Sequence, residues 1–68
     1  MTEILFIVEP APEGGFTARA VGATIATEAD SMDELRHSIR EAVACHFDEG
    51  EGPNLIRLHI VQDEVLGV

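Results

Sequence analysis

The 68-residue sequence contains no lysine and a single cysteine, Cys45. It opens on an apolar run, Ile4 to Val8, that is short. Each scarcity excludes something. One cysteine allows no intrachain disulfide. The run Ile4–Val8 has Glu3 before it and Glu9 after it and no basic flank, so it fits neither a signal peptide nor a membrane span. The expected compartment is the cytoplasm, with no membrane partner. Thirteen acidic residues stand against four arginines, a formal charge of -9. Direct nucleic-acid binding needs a basic footprint to neutralise phosphates, and this chain lacks one. The charge suits a basic partner, although solubility alone also accounts for an acidic surface.

Chemical signatures are equally scarce. There is no C-x-x-C or H-E-x-x-H spacing, no G-x-S-x-G turn and no phosphate-cradling glycine loop. The sequence therefore predicts neither an enzyme nor a cofactor. The length predicts one domain, residues 1–68, and a chain this small buries only about 60% of the surface its unfolded form exposes. Without a disulfide, self-association is the expected remedy, as a homodimer or larger.

The strongest local signal is the stretch Asp30–Phe47. Ser31, Met32, Asp33 and Glu34 form an S-x-x-E capping box, in which the Ser31 hydroxyl and the Glu34 carboxylate can satisfy N–H groups left unpaired at a helix start. Met32, Leu35, Ile39, Ala42, Val43 and Phe47 then recur at helical spacing and form an apolar stripe, with His46 placed within it near the helix end. A favourable helix-dipole contact accounts for a histidine there.

Around this helix the sequence predicts four strands. Glu3–Glu9 is rich in β-branched and aromatic residues and apolar on both faces, Ile4, Phe6 and Val8 against Leu5 and Ile7; it reads as a central strand. Pro10, Pro12, Gly14 and Gly15 mark a turn. Gly15–Val21 alternates with period two, and Thr24–Glu28 is a short third strand. The acidic, glycine-containing loop Asp48–Pro53 follows the helix. Leu55–Gln62 is the last strand, returning through a crossover to lie parallel to the first. The fold class is α+β with order β-β-β-α-β: an antiparallel meander plus one parallel strand, sheet order 3-2-1-4, and one helix on one face. Since one helix covers one face, the apolar second face of the first strand points to self-association or a partner there. Asp63–Val68 is a short edge segment or a tail docked on a neighbouring subunit.

His37, Glu41 and Cys45 follow one another at i, i+4 spacing, with Asp33 one step earlier. Such a stripe could hold a divalent ion through two neighbours, but ligands strung along one helix side do not converge tetrahedrally. Metal binding is accordingly a minor alternative, and a solvated helix face accounts for the same residues.

Two motifs carry a family resemblance. Glu13-Gly14-Gly15-Phe16-Thr17-Ala18 looks like the E-G-G-aromatic-x-A opening of the second strand of HicB-like antitoxins, and Thr27-Glu28-Ala29-Asp30-Ser31-Met32-Asp33-Glu34-Leu35 is similar to their T-E-G-D-T-x-E-E-A entry into the helix. Together with the order of elements, the resemblance implies a truncated RNase H-like domain without RNase activity. It also implies a toxin–antitoxin role, in which the chain binds and blocks a small basic RNA-cleaving toxin, HicA. No DNA-binding module follows, so DNA contact is not expected. The residues expected to meet a basic partner are Glu9, Glu13, Glu28 and Asp30 at the strand ends, with Phe16 as an apolar anchor. A self-assembling structural module without a toxin partner is the alternative.

Overall fold

The computed structural model describes residues 2–68. The chain forms β1 (Glu3–Pro10), β2 (Phe16–Ala20), β3 (Ala26–Ala29), α1 (Met32–His46) and β4 (Leu55–Ile60). The sheet order is β3-β2-β1-β4. β1 is antiparallel to β2 and parallel to β4, and β2 is antiparallel to β3. The predicted α+β fold is therefore the observed one, down to the parallel pairing of the first and last strands.

Strand periodicity assigns the two faces. Ile4, Phe6 and Val8 on β1 and Ala18 on β2 are buried against Leu35, Ile39 and Val43 of α1. Phe6, Leu35, Ile39 and Val8 are the largest fully buried side chains, each contributing about 1.5–3 kcal/mol by leaving water. Met32, Ala42 and Phe47 pack at the margin of this core, so the apolar stripe of the helix lies where the spacing placed it. The opposite face carries Leu5 and Ile7, which are half-buried. Leu5 pairs with Arg57, and Ile7 sits between Arg19 and His59. On this face Arg57 Nε donates a 2.7 Å hydrogen bond to Glu3 Oε1.

Three local readings are corrected. The third strand begins at Ala26 rather than Thr24, because Ile25 closes the β2–β3 reversal: its side chain is buried and its carbonyl accepts the Ala20 N–H at 2.9 Å. His46 is exposed rather than part of the buried stripe, and it meets the Phe47 ring edge-on with centroids 4.9 Å apart. Phe47 is the C-cap and no longer helical; its N–H bonds the Val43 carbonyl. Among the described residues no helix is long and apolar enough to cross a membrane.

Candidate functional site

The β1–β2 turn is built by its glycines. The Ala11 N–H bonds the Gly15 carbonyl at 2.9 Å and the Gly14 N–H bonds the Ala11 carbonyl at 3.1 Å. Gly14 and Gly15 take positive φ values of 106° and 77°, which only glycine adopts without penalty. Gly15 also lies against the end of β3, where an added Cβ would come within 2.5 Å of the Ala29 carbonyl oxygen. The E-G-G segment is thus the shape that lets the turn close onto the strand leading into the helix.

The helix start completes the arrangement. Ser31 is the N-cap, and its hydroxyl accepts the Glu34 N–H at 3.2 Å. The reciprocal bond from the Ser31 N–H to the Glu34 carboxylate is not formed among the described residues, so only half of the capping box exists. The Glu34 carboxylate is left facing solvent.

Turn, strand ends and first helical turns enclose an open cleft of about 1020 Å³. Phe16 and Ala29, paired across β2 and β3, line it together with Glu13 and Pro12 from the turn. Glu28 and Asp30 border it from the end of β3, and Asp33, Glu34, His37 and Ser38 from the helix. The carboxylates of Glu13, Asp30, Asp33 and Glu34 therefore surround one cleft, and among the described residues no arginine lines it; Glu28 pairs with Thr17, so its carboxylate belongs to the opposite sheet face. Asp33 is engaged by Arg36, 2.9 Å away, and His37 is held by Glu41 at 2.9 Å. Glu13, Asp30 and Glu34 make no ion pair among the described residues, and a low-dielectric wall beside such carboxylates focuses their field on an approaching cation.

Three of the five residues expected at a partner site are brought together here: Glu13, Phe16 and Asp30. Glu9 and Glu28 are not. Each pairs with Thr17, so strand parity places both side chains on the other sheet face, where they line a second depression with Ile7, and Glu9 stands 4.0 Å from Arg19. Phe16 is half-buried and packs against the core while bordering the cleft, so it is both the core residue and the exposed apolar surface. Asp33, Glu34 and His37 were absent from the expected set. Their spacing shows only that they neighbour one another on the helix surface; the docking of α1 beside the hairpin brings them to the cleft.

The stripe His37, Glu41 and Cys45 remains strung along the helix surface, with Cys45 exposed. No group of three or more His, Cys, Asp or Glu side chains among the described residues is placed to hold a metal ion.

No protein-family model matches the chain, and no solved structure matches it significantly. Two relatives share its sequence. A UPF0150 protein of Archaeoglobus fulgidus is 48% identical over 52 residues, covering 76% of this chain and 77% of that protein. A UPF0150 protein of Thermotoga maritima is 36% identical over 66 residues, covering 97% of this chain and 93% of that protein. With identity at this level over nearly its whole length, the chain belongs to the UPF0150 family.

Proposed function

We propose that the chain is a binding protein that holds a basic segment of a partner protein in the acidic cleft, and that the partner is a small basic RNA-cleaving toxin. The observation that carries the reading is the cleft itself: Glu13, Asp30 and Glu34, unpaired with any cation among the described residues, around the half-buried ring of Phe16. A lysine or arginine of the partner would exchange water for several carboxylates, and its alkyl stem would lie against the aromatic ring. The net charge of -9 extends the attraction beyond the cleft, so complementarity acts on the rate of encounter as well as on affinity.

The class of partner follows from the HicB-like resemblance. Its two motifs, Glu13–Ala18 and Thr27–Leu35, supply most of the cleft lining. The same segments that carry the resemblance thus build the candidate surface. In this reading the chain blocks the toxin by protein–protein contact and performs no chemistry of its own.

The test is capture from the cell extract of the source organism on the tagged chain, followed by an RNase assay of what is retained. The expected result is a small basic protein, eluted by salt, whose RNA cleavage is suppressed when the chain is added back. Retention of basic proteins without RNase activity would reject the toxin assignment and keep the cleft as a binding surface for another basic protein.

A further inference from the structure

The C-terminal segment after β4 has no place in this monomer. Val61 donates to the Val8 carbonyl at 2.8 Å, and the next parallel ladder bond to the Val61 carbonyl would need an N–H on Pro10, which proline lacks. From Gln62 onward the backbone makes no hydrogen bond to the rest of the described chain, and it continues without a turn. Val65, Leu66 and Val68 are exposed at 94%, 79% and 135%. The Cα radius of gyration is 13.4 Å, against about 11 Å for a compact chain of this length. The longest dimension, 52 Å against 19 and 18 Å, has the same origin.

Next to β4 lies a surface of matching chemistry. The backbone of α1 runs closest to β3 and β2, so the β4 side of the sheet is thinly covered. There Ile39, Ile56 and Leu58 form a shallow groove flanked by Arg36 and Arg40. Half of the arginines of an otherwise acidic chain stand in this groove. Asp63 and Glu64 precede Val65 and Leu66 in the tail: two acids and then two apolar side chains, the complement of two arginines and an apolar strip. β4 is also an edge strand of six residues with a free ladder, and a free apolar edge is a template for strand addition.

We infer that the tail, residues 62–68, pairs antiparallel along the β4 edge of a second copy of this chain, and the second copy's tail along this one. The contact is isologous, so each strand edge and each tail is used once and the assembly closes as a dimer. With Val61 opposite Val61 of the second copy, strand alternation puts Glu64 opposite Leu58 and Leu66 opposite Ile56 on the helix side, where Arg36 and Arg40 stand. On the other face Asp63 falls opposite His59. The tail does not fold back into its own groove, because the reversal would fall at Val61-Gln62, which contains neither glycine nor proline and is held extended by the Val8 bond. Net repulsion between two acidic copies is screened beyond about 8 Å at physiological salt, whereas the groove contacts are short.

Sedimentation equilibrium of the full chain at high micromolar concentration tests this. The expected mass is twice 7.3 kDa. A chain ending at Gln62 and the variant Leu66→Asp should sediment as monomers with unchanged far-ultraviolet circular dichroism, since both alter only exposed residues. Arg40→Glu should weaken association by about tenfold or more, and adding Glu64→Arg to it should recover most of the loss. A full chain at 7.3 kDa, a shortened chain that stays dimeric, or a charge-swapped variant no tighter than Arg40→Glu alone would overturn the inference.

Discussion

Gly15 and Ala29 approach so closely that any side chain at residue 15 would press on the Ala29 carbonyl, 2.5 Å from where its Cβ would sit. Gly14, one residue earlier, has open space around the same position. Both have positive φ, so alanine costs about 1–2 kcal/mol at either through backbone strain. At Gly15 the collision adds to that cost. Gly15→Ala should therefore destabilise the fold more than Gly14→Ala, and it should also push the hairpin away from Asp30. Urea unfolding of the two variants side by side checks the order.

The N-cap gives a second pair with separable effects. Ser31→Ala removes the hydroxyl that accepts the Glu34 N–H and should cost about 1 kcal/mol. Glu34→Gln removes a carboxylate that makes no capping bond, so stability should change only by the helix-dipole contribution of about 0.3–1 kcal/mol. In partner binding the order should reverse, because Glu34 lines the cleft. Thermal melts and partner capture on the same two proteins measure both effects.

Leu35 is fully buried at the point where α1 meets the sheet. Leu35→Ala should cost about 2–5 kcal/mol. For a chain of this length the whole stability is about 3–10 kcal/mol, so the variant should be partly or wholly unfolded at 37 °C. Circular dichroism over a temperature ramp reads this directly. Within one chain the exposed Arg36→Ala removes only the surface pair with Asp33 and should cost less than about 1 kcal/mol of folding stability.

The helix and the sheet order were legible because their signals are local and redundant. The Ser31 cap, the 3.6-residue stripe from Met32 and the two apolar faces of β1 each pointed to the same arrangement. The start of β3 was less legible, since Thr24-Ile25-Ala26 alternates like a strand while Ile25 is needed to plug the core at the reversal. His46 fell on the apolar side by angle but beyond the reach of the sheet, and no periodicity records where a partner surface ends. The same limit explains Glu9 and Glu28: their place at strand ends suggested cleft residues, whereas pairing with Thr17 sends both to the opposite face. The contribution of Asp33, Glu34 and His37 depended on the docking of the helix beside the hairpin, a tertiary relationship that spacing along either segment does not contain.

The central claim is that the acidic cleft is a surface for a basic protein, and it is tested most directly by comparing the unaltered chain with Glu13→Lys/Asp30→Lys as bait. Both positions are exposed, so the variant should fold and melt close to the parent. The parent should retain a small basic protein at low salt and release it as salt rises, while the variant retains none of it, with the loss concentrated in the association rate. If the variant holds the same protein as tightly as the parent, or if the parent retains no basic protein at low salt, the cleft is not the binding surface.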